Sequence, residues 1–192
     1  MSRHSMIPIR VVVVLVLAAA PAWAAEHGAE VRINGDAVEA GYLRWFHGGD
    51  ALWGLSWLHG DDGDVVSSSL HVTGPISTKP KLSKLRAGVG GEAVGLDGDG
   101  DSEVGLALGG FAELSWPSHD RFELRLAAHY APDILLTGDA ESFHRVGVEA
   151  GYRVLRKAKV FVGARSVEVD FGHGRATAEI DSGLHGGFRV WF

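Results

Sequence analysis

The sequence predicts an all-β chain: a small antiparallel transmembrane β-barrel of eight to ten strands, ten fitting slightly better, behind a cleaved signal peptide. Three observations carry this. The N-terminus has the pattern of a secretory signal, the remainder is built from runs that alternate apolar and polar residues, and the last of those runs ends the chain on phenylalanine. Several runs reach 10 to 14 residues. Globular strands average about 5 to 6, whereas a tilted strand needs about 9 to 11 to cross a bilayer.

The chain opens with Arg3 and Arg10 ahead of a run of valine, leucine and alanine from Val11 to Ala20, followed by Ala22-Trp23-Ala24. A basic start, a short apolar stretch and small residues at a cleavage site define a signal peptide. The stretch falls short of the roughly 20 residues of a membrane-spanning helix, and Pro21 interrupts it. The expected division is therefore a signal peptide over residues 1–24 and a barrel domain over residues 25–192. Removing residues 1–24 takes away two arginines and no acid, leaving 168 residues with 16 basic and 24 acidic side chains, a net charge of −8. So acidic a chain is unsuited to nucleic acid, because phosphate binding rests on lysine and arginine.

Nine strong runs follow. The first three are Ala37 to Phe46, Ala51 to His59 and Val65 to Thr73. In Leu85 to Leu96, Leu85, Ala87, Val89 and Ala93 oppose Arg86, Gly88, Gly90 and Glu92. Glu103 to Trp116 sets Val104, Leu106, Leu108, Leu114 and Trp116 against Glu103, Gly105, Gly109 and Glu113. Arg121 to Tyr130 is the clearest, with Phe122, Leu124, Leu126, Ala128 and Tyr130 on one face and Glu123, Arg125 and His129 on the other. His144 to Tyr152 places Val146, Val148 and Ala150 opposite Arg145, Gly147 and Glu149. A run around Phe161 to Val169 contains Arg165, which we assign inward because an arginine facing lipid costs about 2 to 4 kcal/mol. The last run, Leu184 to Phe192, puts Leu184, Phe188, Val190 and Phe192 on one face. Nine is odd, and bacterial single-chain barrels have even numbers of strands. Either Glu30 to Ile33 pairs through an Asn34-Gly35 turn to make ten, or two early runs merge to leave eight.

Composition agrees. Hydrophobic residues make up 46% of the chain, mean hydropathy is only +0.07, and cysteine is absent, which excludes disulfide frameworks and thiolate sites. Glycine, at 27 of 192 residues, is about twice its usual share of roughly 7% and collects on the polar faces of the runs, where a tightly curved sheet has least room. With Phe192 on the periplasmic side, the outward loops carry Asp61, Asp62, Asp64, Asp97, Asp99, Asp101, Asp133 and Asp139. The inward turns and their flanks carry Lys79, Lys81, Lys84, Arg153, Arg156, Lys157 and Lys159. Tyr130, Tyr152, Trp116 and Phe192 fall near strand ends, as interfacial aromatics do.

Short motifs for chemistry are mostly negative. Gly88 to Ala93 fits a loose dinucleotide fingerprint but lies inside an alternating run with no helix after it. Asp97-Gly98-Asp99-Gly100-Asp101 resembles half of a calcium loop yet has Ser102 and Leu108 where an EF-hand needs glycine and glutamate, so it reads as an acidic hairpin tip. His47, His59 and His71 recur every twelve residues but belong to different strands or strand ends. Ser142 and His144 share a face, with Glu168 as an acid that could approach them, the minimum for a barrel lipid hydrolase. No cofactor or metal site is expected.

The order Gly60-Asp61-Asp62-Gly63-Asp64, Ser115-Trp116-Pro117, His129-Tyr130-Ala131-Pro132, Gly151-Tyr152-Arg153-Val154 and Val162-Gly163-Ala164-Arg165, closing on phenylalanine, resembles the YfaZ family of outer membrane proteins. The resemblance implies an envelope-located barrel and brings no established catalytic residues. The expected lumen charge network is Arg86, Glu92, Glu103, Glu113, Glu123, Arg125, Arg145 and Glu149, filling the interior of so small a barrel. The expected assembly signal is Leu184, Phe188, Val190 and Phe192. We expect a structural or interaction protein of the Gram-negative outer membrane, with lipids, lipopolysaccharide and the barrel assembly machinery as partners. A narrow porin-like channel for ions or small polar solutes is the alternative, and a lipid hydrolase a more distant one.

Overall fold

The computed structural model describes residues 26–46, 48–60, 63–76, 84–98, 101–116, 119–138, 140–171 and 178–192. The expected signal peptide and the centre of the calcium-like loop, residues 99–100, lie outside them. Ten strands are present: β1 (Glu26–Ile33), β2 (Ala37–Phe46), β3 (Ala51–Gly60), β4 (Gly63–Pro75), β5 (Lys84–Gly98), β6 (Asp101–Trp116), β7 (His119–Pro132), β8 (Ala140–Leu155), β9 (Ala158–Phe171) and β10 (Ala178–Trp191). Each pairs antiparallel with its neighbours in sequence, and β1 pairs with β10, so the sheet closes into a barrel.

The short first segment supplies the tenth strand. Asn34 starts the turn from β1 to β2: its side-chain oxygen accepts from the backbone of Asp36 at 2.9 Å and of Ala37 at 2.5 Å. Eight residues of β1 then pair along β2, and six of them along β10. At the seam the terminal residue joins the ladder, Phe192 N donating to His27 O at 2.9 Å. Closure is obligatory in lipid, where an open edge would leave backbone groups with nothing to bond.

Strands β4 to β10 run to 13–16 residues, longer than the runs of alternation in the sequence. The 16 residues of β6 extend for roughly 50 Å, more than a tilted crossing of the apolar slab requires. Strand ends therefore project into water, where either face tolerates polar residues and the alternation fades.

Alternation sorts the two surfaces. Val38, Leu55, Leu70, Val89, Leu108, Leu126, Val148, Val162 and Leu184 point out and are exposed. Outward aromatics mark the ends: Tyr42 packs on Trp53 and His27 near the chain termini, Phe122 packs on Tyr152 at the same end, and Trp57 stacks on His59 at the other. No helix among the described residues is long and apolar enough to cross a membrane; here the strands present the apolar surface.

The interior has two regions. At the end opposite the termini, Leu58, Val65, Val94, Phe143, Val167 and Val169 form a fully buried apolar cluster, with Leu136 and Ile180 packed against it. Leu136 comes from the β7–β8 connection, which folds onto the rim. Because β6 pairs with β7 only from Leu108 onward, its first residues lack a strand there, and Thr137 takes the place: Thr137 N donates to Val104 O at 2.9 Å, and Val104 N donates to Thr137 Oγ1 at 2.9 Å. Below the cluster the lumen is polar. Glycines make room in it for large rings: a Cβ on Gly88 would lie 2.6 Å from the Phe111 ring, and one on Gly187 2.6 Å from that of Phe161.

Truncating the largest ring of the cluster should be costly. Phe143→Ala is expected to lower the unfolding free energy by about 3 to 5 kcal/mol, read as a lower urea midpoint for the refolded protein in detergent micelles. An unchanged midpoint would mean that the cluster is not packed as described.

Candidate functional site

The lumen is where chemistry-bearing side chains converge. All eight residues of the expected network lie on inward positions of their strands, Arg86 and Glu92 on β5, Glu103 and Glu113 on β6, Glu123 and Arg125 on β7, and Arg145 and Glu149 on β8. They do not form one network among themselves. Arg145 reaches Glu92 at 2.5 Å and Arg125 reaches Glu113 at 2.6 Å, while Arg86 has no described carboxylate partner and lies over the Trp45 ring at 5.0 Å. Glu123 pairs with Lys159, and Glu149 with Arg32 at 2.8 Å.

The densest part of the network adds charges from β1, β2, β9 and β10, of which only Arg165 was expected to point inward. Arg32 on β1 contacts Glu30 at 2.5 Å, Glu39 on β2 at 3.3 Å and Glu149 on β8. Arg165 on β9 binds Glu39 and Asp181, which confirms its inward direction. Arg189 on β10 binds Glu30 and approaches Glu149 at 3.7 Å. Around the barrel β1 stands three places from β8, β2 three from β9, and β5 three from β8. The pairs Arg32–Glu149, Arg165–Glu39 and Arg145–Glu92 are thus ties across the lumen, not rungs between neighbouring strands. Buried charges are tolerable only when paired and hydrogen-bonded, so these ties hold the barrel to one cross-section.

Histidines complete the middle layer. His71 Nε2 and His129 Nε2 are 2.8 Å apart, so one ring donates to the other, and His129 Nδ1 lies 3.7 Å from Glu92. Of the twelve-residue histidine series, His71 is in the lumen, His59 is on the outer face bonded to Asp64 at 2.7 Å, and His47 is outside the described residues. No group of three or more ligating side chains among the described residues could hold a metal ion.

On the outer face, His144 and Glu168 do meet, Nε2 to Oε2 at 3.1 Å. The hydroxyl that joins them is Ser166, which donates to Glu168, and not Ser142, which faces Asp170 across the ladder and whose hydroxyl makes no hydrogen bond among the described residues. In a hydrolytic triad the serine must give its proton to the histidine; here the serine in contact addresses the acid. Leu184, Phe188, Val190 and Phe192 share the exposed outer face of the C-terminal strand.

Two cavities divide the lumen. One, of about 130 Å³, lies among Glu30, Glu39, His71, Glu92, Arg165 and His185. The other, of about 350 Å³, opens at the end that carries the termini, between Trp45, Arg86, Arg125, Arg153, Lys159 and Trp191. The apolar cluster occupies the opposite end.

A closed antiparallel barrel with an apolar exterior and a charged, filled interior is a membrane-embedded envelope protein. Residues 5–192 match the model of the family described as YfaZ precursor, and the chain belongs to the YfaZ family. No match is found among curated proteins. A solved chain from a study headed "Unveiling the Mechanism Behind the in-meso Crystallization of Membrane Proteins" aligns over 87% of this chain and 83% of its own, at 12% identity and a TM-score of 0.37.

Removing one side of a cross-lumen tie should show its weight. Glu92→Ala, which strands Arg145, is expected to cost about 3 to 5 kcal/mol in urea unfolding. The double variant Glu92→Met with Arg145→Met should recover much of that loss, because no buried charge is then left alone. A double variant as unstable as Glu92→Ala would show that the tie itself, and not the orphaned charge, dominates.

Proposed function

We propose that the protein is a barrel of the Gram-negative outer membrane with a structural or interaction role, its lumen closed to solute passage. The observation that carries this reading is the stacking of two barriers in one lumen: cross-lumen ion pairs in the middle and, beyond them, an apolar cluster whose largest members are fully buried. An ion on this path would have to break charge-assisted hydrogen bonds and then enter a dry apolar layer, each costing several kcal/mol.

The orientation follows from charge. The end with the termini carries Lys84, Arg153, Arg156, Lys157 and Lys159, and the opposite end carries Asp64, Asp97 and Asp133. Setting the termini in the periplasm exposes the acidic loops on the cell surface, where they would meet lipopolysaccharide and bridging cations. The exposed stripe of Leu184, Phe188, Val190 and Phe192 would meet outer membrane lipids and, during biogenesis, the barrel assembly machinery. The second reading, a narrow channel, is favoured by one observation: the 350 Å³ cavity already leads partway into the barrel, so only the inner layers would have to part.

Planar-bilayer recordings separate the two. The refolded wild-type protein is expected to give no reproducible single-channel steps. Discrete steps whose size changes in Glu113→Gln or Arg125→Gln would establish the channel and overturn the closed lumen. Deleting Phe192 is expected to reduce the folded, heat-modifiable fraction in cell envelopes, since the residue both ends the outer stripe and bonds to His27; normal yield would remove it from the assembly signal.

A further inference from the structure

Among the six cations that line the cavity at the end with the termini, three have no carboxylate within ion-pair distance among the described residues: Arg86, Arg153 and Arg156. Arg32, Arg125, Arg145, Lys159, Arg165 and Arg189 all have one. The three unpaired arginines are not scattered. All line the same 350 Å³ cavity, whose volume falls in the range of small-ligand sites.

The cavity is cationic beyond these three. It is lined by six cations against the carboxylates of Glu26, Glu113 and Glu123, two of which are already engaged, Glu113 by Arg125 and Glu123 by Lys159. Arg153 on β8 also stands directly opposite Lys159 on β9 in the ladder. Like charges facing each other across a strand pair are destabilising, and an anion near both would offset the part of that repulsion that Glu123 leaves. Arg86 is held in place without an acid: its guanidinium lies over Trp45, while Lys159 lies over Trp191 at 5.6 Å. Cations gathered at a half-enclosed mouth, two of them seated over tryptophan rings and with Leu43 and Leu52 also in the lining, have the charge and enclosure that an anion requires.

We propose that this cavity is a binding site for a small oxyanion of two or more negative charges, of the phosphate class, bound by Arg86 at depth and by Arg153 and Arg156 at the rim. Bidentate arginine contacts suit phosphate oxygens. That the site opens to the periplasm rests on the orientation proposed above; the binding itself does not.

Calorimetric titration of the refolded barrel in detergent with sodium pyrophosphate tests it. Saturable binding is expected, weakening as salt rises, with an affinity at least tenfold lower in Arg86→Gln and in the double variant Arg153→Gln with Arg156→Gln. Heat-modifiable migration verifies that each variant is folded. No saturable heat in the wild type, or equal affinity in both variants, overturns the site. Because the chain has no cysteine, Arg156→Cys can be labelled selectively with a membrane-impermeant maleimide. Labelling only after the outer membrane is permeabilised is expected; labelling of intact cells would overturn the periplasmic orientation while leaving the binding result standing.

Discussion

Everything in this barrel depends on the pairing of β1 with β10. A sheet in lipid cannot have an edge, so the ten strands must close, and once they do, each residue is committed to the lumen or to the membrane by parity alone. Ten strands enclose too little space for a wide bore, and the polar parity of every strand is pressed into one narrow interior. Charges that would be solvated on an open sheet must find each other across it. Arg32 with Glu149, Arg165 with Glu39 and Arg145 with Glu92 are the result.

Much of this was legible in the sequence because period-two alternation is a direct imprint of a two-faced wall. The inward direction of Arg86, Glu92, Glu113, Arg125, Arg145 and Glu149 follows from their apolar neighbours at odd offsets. Even the ambiguous Arg165 could be placed, by the cost of setting a guanidinium in lipid. The tenth strand was harder to see. Glu30 to Ile33 is a short piece of β1, and what extends it, the partner strand β10, lies at the far end of the chain. Partner choice was hidden too. Parity says that Glu149 faces in, but only the curvature of the closed sheet brings it to Arg32, 117 residues away. Glu30 sits in a short segment and Asp181 just before the last run, while Glu39 and Arg189 lie in runs where Leu43, Trp45 and Trp191 put apolar residues on the charged face as well.

The apolar cluster at the end opposite the termini had no sequence signal distinct from the rest. Val65, Val94, Phe143 and Val167 occupy inward positions, where a rule of polar inside and apolar outside expects hydrophilic residues, and near strand ends the two assignments look alike. The lumen is consequently graded along its axis, dry and apolar at one end, ion-paired in the middle, and cationic and open at the other. A gradient of this kind is a property of position along the barrel axis, which a linear reading sees only after the strands have been set in register.

The seating of Phe111 over Gly88 and of Phe161 over Gly187 has a consequence for how such a chain can change. Each ring occupies space that exists only because the facing strand position has no side chain, so neither partner is free to vary alone. Enlarging the glycine requires shrinking the ring, and shrinking the ring first opens a void. Routes between related sequences therefore pass through paired exchanges at these positions. Descendants of one ancestor should be found with the bulk on either strand, and seldom on both or on neither.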